Sequence, residues 1–553
     1  MEQKKIAIFG AGIAGLSAAH ELAGRGHVVE VYEIKPKAGG FFRSARREDG
    51  LPTEYSWHGF GPWYNNTFDI MKQIPFDQDH SLFEKALSRP IDFGIFPKNG
   101  NANFFRSIKD IKAMFQLTWM ELVRAGWIML KAWCANERSQ EIYSQIRAVE
   151  VWENSLSGKA LQNWKASFGP WIGSDWSRVS FHTAGEFFCK QLTSTTAHFH
   201  PPDEDGDGWA HGKRDGWLLL KGPSSEYWFD KWVAHLKKQG VVFHFESELK
   251  NFVVKGNLVR KAVVAPSSKE PTKEVDADCF ILAANPYFAK NILFASNGMG
   301  SSPELLRFRG LTQAPGHVQV SFRLNFKESI KFPRKRMAMV LSGTEFNLTL
   351  FAQEQAWDAE LNLGNGSASL WTGTACIETA PGRLFRKPVI TCSKEEFIEE
   401  IKAQIFNCDS LNSEIKKANS GKALADFDLH EIEVWPEWDF SPRGIKTPWP
   451  KWVNNTINQQ HLPDQQGTPK NLFVAGAHTK TQADVWSIEA AVESGRRAAK
   501  LIEPNTIVIE QGVPLWIIFL RRFDDFCYKN GLPHILQVVG MLGILAVLAI
   551  ALD

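Results

Sequence analysis

Short apolar runs alternate with polar or glycine-rich turns near the N-terminus. Lys5–Phe9 is an apolar run typical of a buried strand, and Leu16–Arg25 is rich in alanine and leucine, as a helix is. Gly26 ends this helix, and Val28–Tyr32 is a second apolar run. This order predicts a βαβ unit, in which a helix joins two neighbouring parallel strands.

The periodicity of apolar positions predicts further elements along the chain. The predicted helices are Phe68–Met71, Ile108–Trp133, Tyr227–Lys238, Glu395–Phe406 and Ser487–Ile502. The predicted strands are Val241–Val254, Leu258–Val264, Asp278–Ala284 and Leu472–Ala475, and alternation within His317–Thr374 predicts a mixed sheet. We interpret Ile108–Trp133 as one long or two shorter core helices, with a lid that faces lipid as the alternative. Pro201–Gly208 is predicted as a turn-rich loop.

The C-terminal residues 506–553 contain two apolar segments. Ile535–Leu552 is almost entirely apolar, and a helix of this length at 1.5 Å per residue just crosses a hydrocarbon core of about 30 Å. Val513–Leu520 precedes it, and Arg521 and Arg522 follow that segment as candidate headgroup contacts. The pattern favours attachment to membrane lipids through this tail, with the body of the chain on the cytoplasmic side. A buried helix hairpin or a dimer-forming helix is the alternative.

Charge and cysteine content narrow the classes of partner. The chain has 63 Lys and Arg against 61 Asp and Glu, and this balance argues against nucleic acid, which needs a basic face. The seven cysteines are scattered without a C-x-x-C pair, which argues against a disulfide framework or a zinc site and suits a reducing compartment. No secretory signal pattern precedes the first predicted strand.

The first turn carries the spacing G-x-G-x-x-G between a strand and a helix, which is the context that a dinucleotide-binding motif requires. Gly10 permits the tight turn, Gly12 lets the backbone approach a pyrophosphate, and Gly15 lets helix and strand pack closely. The backbone of Ala14 lies in the same predicted site. Glu33 ends the second strand, where its carboxylate accepts ribose hydroxyls and disfavours the 2′-phosphate of NADP.

A second glycine pair follows the acidic residue and distinguishes FAD from NAD. The segment Ala38–Ser44 resembles the GG-x-x-x-S/T continuation of the flavin amine oxidase and phytoene desaturase superfamily. In that superfamily this loop runs beside the pyrophosphate and the ribityl chain. The resemblance therefore implies an FAD site that includes Gly39, Gly40, Arg43 and Ser44.

Two further motifs extend the resemblance over about residues 1–505. Glu54–His58 resembles the E-x-G-x-H motif of the carotenoid-desaturase-like branch, with serine at the glycine position. Asn471–Thr479 and the helix from Ser487 resemble the closing N-L-F-L-A-G-D-x-T and E-G-A-V motifs, whose helix points at the flavin pyrimidine edge in that superfamily. The matching cofactor positions are Gly476, Ser487 and Ile488. Ala477 and Ala490 replace the usual aspartate and glycine of these motifs.

The predicted fold class is α/β: a Rossmann-like FAD-binding domain, of the glutathione-reductase-like type, interleaved with a substrate domain of mixed sheet and helices and followed by a membrane-associated helical tail. The predicted FAD-binding parts are 1–95, 216–300 and 441–505. The other predicted parts are a helical substrate or lid region at 96–215, a mixed sheet at 301–440 and the tail at 506–553.

The predicted chemistry is the transfer of a hydride from a lipophilic substrate to bound flavin. An isoprenoid is one candidate for this substrate. The candidate catalytic residues are His58, since an imidazole can position a substrate or move a proton, and His478 and Trp486, which bracket the flavin-side turn. No Ser-His-Asp arrangement or metal-ligand cluster stands out, so hydrolysis and metal chemistry rank low.

Several alternatives remain open at the level of sequence. The chain could be a redox-neutral flavin-dependent isomerase or dehydroxylase of an isoprenoid, or an amine oxidase. It could also be a non-catalytic flavin-fold membrane partner, which the replacements at Ala477 and Ala490 allow. A quinone or oxygen is the expected electron acceptor, since the chain has a single dinucleotide fingerprint.

Overall fold

The computed structural model describes residues 2–88, 90–105, 110–173, 175–193, 217–266, 271–334 and 336–541. Its strands are β1 (Lys5–Phe9), β2 (Val28–Tyr32), β3 (Asp92–Pro97), β4 (Asn103–Phe105), β5 (Val242–His244), β6 (Ser247–Lys255), β7 (Leu258–Pro266), β8 (Lys273–Val275), β9 (Cys279–Leu282), β10 (Ser321–Phe326), β11 (Met337–Ser342), β12 (Leu348–Ala352), β13 (Ser369–Ala375), β14 (Leu429–Val434), β15 (Asp439–Ser441), β16 (Gly444–Lys446) and β17 (Leu472–Val474). Its α-helices are α1 (Ile13–Ala23), α2 (Asn65–Gln73), α3 (Leu82–Lys85), α4 (Ile111–Met114), α5 (Trp119–Trp133), α6 (Glu137–Glu141), α7 (Ala148–Glu153), α8 (Gly158–Ile172), α9 (Phe181–Thr193), α10 (Asp230–Lys238), α11 (Pro286–Ala295), α12 (Pro303–Leu311), α13 (Lys394–Phe406), α14 (Asp409–Ala418), α15 (Ile488–Ile502) and α16 (Leu515–Lys529).

Five parallel strands form the sheet that carries the glycine-rich turn. Their order is β17-β9-β1-β2-β5, and β1 pairs with both β2 and β9. The apolar side chains of β1 are fully or almost fully buried, as expected for a strand covered on both faces. The carboxyl ends of β1, β9 and β17 meet at one edge, where ligands bind in open α/β sheets. The predicted βαβ unit is present, and the fold is the α/β Rossmann-like one predicted from the sequence.

A mixed sheet of seven strands forms the second body, in the order β14-β10-β13-β12-β11-β3-β4. One of its faces packs its apolar side chains on α13 and α14 in a separate core. Strand β3 pairs in parallel with β11, so it belongs to this sheet. The sequence places a boundary at residue 95, inside β3, because local periodicity does not show which distant strand a segment pairs with.

One predicted strand is two strands in the structure. Val241–Val254 divides into β5 and β6, and Glu246 lies between them at a φ of +53°. The division lets β5 extend the parallel sheet while β6 pairs with β7 in a three-stranded antiparallel sheet. The predicted loop Pro201–Gly208 lies outside the described residues.

The described part of the predicted helical segment 108–133, residues 110–133, contains two helices, α4 and α5, and only one face of α5 is buried. Gln116 interrupts the segment at a φ of +54°, and Thr118 and Glu121 form a capping box that starts α5. Glu121, Ala125 and Ile128 face the protein, whereas Trp119 is 72% exposed. The expectation of a core helix pair is therefore wrong for the outer face of α5.

The tail forms the amphipathic helix α16, which packs on the helical part of the protein. The guanidinium of Arg521 donates hydrogen bonds to Glu186, at 2.5 Å, and to the carbonyl oxygen of Trp133, at 2.8 Å. The prediction that Arg521 reaches out to lipid headgroups is wrong, because the buried Glu186 carboxylate draws it inward. Within residues 2–541, no helix that the structure describes is both long and apolar enough to cross a bilayer. The end of the predicted apolar run, 542–552, lies outside the described residues.

Candidate active site

The glycine-rich turn joins β1 to α1 in a shape that requires glycine at two positions. Gly10 has a φ of +113° and donates its N–H to Tyr32 O at 2.8 Å, and a Cβ on it would lie 2.5 Å from the carbonyl oxygen of Ala283. A Cβ on Gly15 would lie 1.9 Å from the carbonyl oxygen of Gly10. These contacts match the roles that the motif assigns to both glycines.

A gap faces the start of α1, between the turn and the second glycine pair. A Cβ on Gly12 would meet no atom nearer than Gly40 Cα, at 3.8 Å. Gly39 has a φ of +118° and donates its N–H to Ala11 O at 2.9 Å, which holds the two turns together. No side chain caps α1 at Gly12, and its first turn, which includes Ala14, holds no acidic residue. The positive end of the helix therefore faces a space suited to a diphosphate.

The Glu33 carboxylate lies beside this gap at the end of β2. Its two oxygens accept the N–H groups of Ala11, at 2.7 Å, and of Lys35, at 3.0 Å. Burial raises the pKa of the Glu33 carboxyl, and these two hydrogen bonds oppose the rise. Each oxygen keeps a lone pair, so the carboxylate can also accept ribose hydroxyls.

Arg43 and Ser44 already have protein partners. Ser44 and Ser225 exchange hydrogen bonds, each N–H donating to the other hydroxyl at 2.9 Å. These bonds fix the loop to the helical turn Ser225–Phe229, which leads into α10. The Arg43 guanidinium lies 3.9 Å from the Glu437 carboxylate. The structure thus gives Ser44 a positioning role in the predicted site.

The closing motif places the start of α15 at the same edge. Gly476 donates its N–H to Ser494 Oγ at 2.8 Å, and Ser487 caps α15 by accepting the N–H of Ala490 at 3.1 Å. The buried side chain of Tyr64, the residue before α2, lies beside Ser487 and Ile488 at the start of α15. Helix α2, which follows Tyr64, is therefore in contact with α15 of the closing motif.

A carboxylate that the sequence analysis did not select links α15 to α2. Glu489, fully buried, accepts the N–H groups of Asn66 and Thr67 at 2.9 and 3.0 Å, and also the Thr67 hydroxyl at 2.7 Å. Because Asn66 and Thr67 lie in the first turn of α2, Glu489 caps that helix from α15. Glu489 matches the glutamate of the closing E-G-A-V motif, and this match was the available sequence signal for its importance. The match does not identify the residues to which Glu489 hydrogen-bonds.

His58 is held by a carboxylate from its own loop. Its Nδ1 lies 3.0 Å from Glu54 Oε1, and its ring packs on Phe42 with centroids 4.1 Å apart. Glu54 also accepts the N–H of Ser224 at 3.1 Å, which anchors the loop. A carboxylate partner assigns the proton of the neutral imidazole to Nδ1, so Nε2 is the acceptor nitrogen.

The other two candidate catalytic residues have different surroundings. His478 is buried between Phe308 and Trp452, and burial lowers the pKa of His478 to about 3, so that it is neutral at ordinary pH. Trp486 lies under the ammonium group of Lys451, whose Nζ is 4.8 Å from the ring centroid. His478 is thus a buried side chain of the protein core. Trp486 packs against the ammonium group of Lys451.

Lys451 joins three parts of the molecule and was not predicted. Its Nζ donates to Gly173 O at 2.6 Å, at the end of α8, and to Gln319 Oε1 at 2.7 Å, next to β10. Burial lowers the pKa of Lys451 to about 8. A lysine in a proline-rich loop gives no sequence signal of such a position, since most lysines are solvated.

A buried chain of polar groups connects α9 to the loop before Trp486. His182 contacts Ser139 Oγ through Nδ1 at 2.9 Å and Asp484 Oδ2 through Nε2 at 2.8 Å. The sequence did not show this Ser-His-Asp arrangement, because its members are far apart in the chain. Ser139 is buried, so its hydroxyl cannot reach a solvent-borne ester, and the arrangement does not favour hydrolysis.

We expect the His182–Asp484 pair to stabilise the fold most strongly at acidic pH. Burial lowers the pKa of His182, but the carboxylates of Asp484 and Glu186 outweigh burial and raise it above its usual value. Its stabilisation is therefore complete below the unfolded pKa, near 6.5, and is lost as pH rises through the folded pKa, at about 1.4 kcal/mol per pKa unit. Urea unfolding from about pH 6 to about pH 9 should show that His182→Gln loses this dependence.

The control is Ser139→Ala, which removes the other hydrogen bond of the imidazole and keeps the ion pair. This variant should lose stability equally at all pH values. A His182→Gln protein whose stability keeps the full pH dependence of the unmodified chain would contradict the assignment.

Comparison with known proteins agrees with these contacts. The model of the NAD(P)-binding Rossmann-like domain family matches residues 8–74. The 15-cis-phytoene desaturase of Synechococcus elongatus is 23% identical over 515 residues, which cover 90% of this chain and 95% of the desaturase. An oxidoreductase from Methanosarcina mazei has a TM-score of 0.58 at 13% identity, covering 89% of this chain and 98% of its own. Putrescine oxidase bound to putrescine has a TM-score of 0.57 at 11% identity, covering 91% and 100%.

The chain is thus an FAD-dependent oxidoreductase by class. It is a homologue of 15-cis-phytoene desaturase over most of its length, and the solved structures that share its fold include flavin amine oxidases. The resemblance inferred from the motifs is confirmed.

Proposed function

We propose that this protein binds FAD along the carboxyl edge of its parallel sheet and desaturates a lipophilic substrate of isoprenoid type. The observation that carries the proposal is the gap between Gly12 and Gly40 at the uncapped start of α1. The similarity to a phytoene desaturase over 90% of the chain supports the class of substrate.

The residues at this edge fit the parts of FAD in order. The N–H groups at the start of α1 suit the diphosphate, and Glu33 suits the adenosine ribose. The N-terminal end of α15, which is the positive end of the helix macrodipole, suits the electron-rich edge of a flavin. When bound, FAD supplies the chemistry of hydride acceptance.

The protein's own contribution is to place the substrate and to move a proton. Desaturation removes a hydride from one carbon and a proton from its neighbour. His58 is the group we assign to the proton, because its Nε2 is the acceptor nitrogen and Glu54 stabilises the imidazolium that forms. His478 remains a neutral packing residue in this assignment, and Trp486 a wall residue. A quinone or oxygen would serve as the electron acceptor.

Anaerobic mixing of the purified, FAD-loaded protein with an isoprenoid hydrocarbon such as phytoene tests the proposal. One equivalent of substrate should bleach one equivalent of flavin and give a product with one more C=C bond. His58→Gln should keep the flavin spectrum but slow bleaching about 100-fold, the usual contribution of a general base. Addition of a quinone or oxygen should restore the flavin colour.

Other outcomes would overturn the proposal in distinguishable ways. Product without lasting bleaching would indicate a redox-neutral isomerase or dehydroxylase. Bleaching by putrescine but by no isoprenoid would indicate an amine oxidase. A colourless protein that takes up no FAD would indicate a non-catalytic role.

A further inference from the structure

Helix α5 presents a continuous apolar face to solvent. Trp119 and Val123 are 72% and 67% exposed, and Met120 and Trp127 extend the same face at helical spacing. The opposite face of the helix is buried through Ala125 and Ile128. Exposed apolar patches of this kind mark an interaction surface, since burial in the fold does not explain them.

Helix α16 presents a second face of the same character. Leu515 and Phe526 are 83% and 61% exposed, and Trp516, Phe519 and Phe523 lie between them on the outer side. Ile517, Asp524 and Cys527 form the inner side. The helix is therefore amphipathic across its length, with its apolar side turned away from the protein.

The two helices are neighbours in the fold. Arg521 of α16 donates to the carbonyl oxygen of Trp133 at the end of α5, and Cys134 packs with Cys527 and Ile535 in a small core. The C-terminal end of α5 therefore lies against α16. We call the exposed residues of α5 and α16 the two-helix surface; they are Trp119, Met120, Val123, Trp127, Leu515, Trp516, Phe519, Phe523 and Phe526.

The acidic side chains of α5 and α16 lie on the sides of these helices that face the protein. Glu121 accepts the N–H groups of Thr118 and Ser157, and Asp524 accepts the Nε–H of Arg138 at 3.0 Å. Asp525 accepts the N–H of Glu137 at 2.9 Å. All three acidic side chains of α5 and α16 thus turn toward protein donors.

The exposed charges beside the apolar residues are basic. Arg124 of α5 and Arg522 of α16 are exposed, and the Lys112 ammonium lies 4.7 Å from the Trp119 ring centroid. A basic apolar face with tryptophans is the composition of helices that lie in the plane of a bilayer.

We propose that the two-helix surface binds an anionic lipid bilayer, with α5 and α16 lying in its interface. Lipid is favoured over a second copy of the chain because exposed arginines on both helices would face each other in a symmetric pair. It is also favoured because residues 542–552, which are apolar in sequence apart from one glycine, follow the helical residues 535–541, which pack on α16 through Ile535. This surface extends the attachment site beyond the tail and does not depend on the flavin chemistry.

Vesicle flotation of the full-length protein tests the surface. The protein should float with vesicles of phosphatidylcholine and phosphatidylglycerol, and Trp119→Ser with Val123→Ser should reduce its partition at least tenfold. Phe519→Ser with Phe523→Ser should do the same. The matched control is Phe294→Ser with Leu306→Ser, since these side chains are also 66% and 56% exposed but lie on α11 and α12. This control should float like the unmodified protein.

Further variants separate the charges and the alternatives. Arg124→Gln with Arg522→Gln should weaken flotation on the anionic vesicles and leave weak binding to pure phosphatidylcholine unchanged. Thermal melting checks that each variant is folded. Flotation that survives the α5 and α16 substitutions but is lost in Ile544→Asn with Leu548→Asn would overturn the proposal in favour of the tail alone. A folded protein that ignores vesicles and changes from dimer to monomer in the α5 variant would overturn it in favour of a second copy.

Discussion

We expect Gly12→Ala to leave the fold intact and to weaken FAD binding at least tenfold, which corresponds to about 1.4 kcal/mol or more. The Gly12 φ is −76°, which any residue adopts, and an added Cβ meets no protein atom within 3.8 Å except Gly40 Cα. The space that the methyl group would occupy is the space that we assign to the diphosphate. Fluorescence titration of the apoprotein with FAD measures the effect, and thermal melting without FAD checks the fold.

The matched control for this variant is Gly300→Ala. Gly300 is also surrounded by open space and has no unusual φ, but it lies away from the turn. Its FAD affinity should equal that of the unmodified protein. Equal affinity in the Gly12→Ala protein would show that the diphosphate does not bind at the start of α1, and would move the cofactor elsewhere.

The backbone geometry of the glycine-rich turn is the part of the candidate site that the sequence predicts well. Gly10, Gly12, Gly15 and Glu33 lie within one βαβ unit, and their roles follow from backbone geometry that neighbouring residues determine. The same holds for the position of Gly39, which sits close to this unit in the chain. Local periodicity and turn chemistry therefore carry enough information to place these residues.

Contacts between distant segments were not predictable in the same way. The Lys451 amine, the Ser139–His182–Asp484 chain and the Glu489 cap each join residues from separate elements. Nothing in the local pattern distinguishes a lysine or glutamate that packs against a distant segment from one that faces water. Only the topology of the folded chain brings these groups together.

The exposed face of α5 was misjudged for a related reason. Helical spacing of apolar residues over 108–133 predicts helix, and a helix that is apolar on more than one side is usually buried. In the structure Glu121 accepts a hydrogen bond from Ser157, so the side of α5 that carries Glu121 faces the protein. Trp119 and Val123 lie on the other side and are exposed. Periodicity alone does not state which of two apolar faces is covered.

Glu489→Ala should lower the free energy of unfolding by about 3 kcal/mol or more, because several buried donors lose their acceptor. The carboxylate caps α2 from another helix, so its removal leaves the N–H groups of Asn66 and Thr67 and the Thr67 hydroxyl without a partner. It also removes a negative charge from the positive end of α2. Urea unfolding with a linear extrapolation measures the loss.

The controls separate this link from the general effect of changing a helical glutamate. Glu399→Ala, on the exposed side of α13, should change stability by no more than about 0.5 kcal/mol. Glu489→Gln should be nearly as unstable as Glu489→Ala. Its amide N–H₂ group is itself a donor and would face N–H and O–H donors that need an acceptor. In a double-mutant cycle with Thr67→Val, a coupling energy of about 1 kcal/mol or more is expected. A coupling near zero would mean that α2 and α15 are held together by other contacts, and that Glu489 acts only within α15.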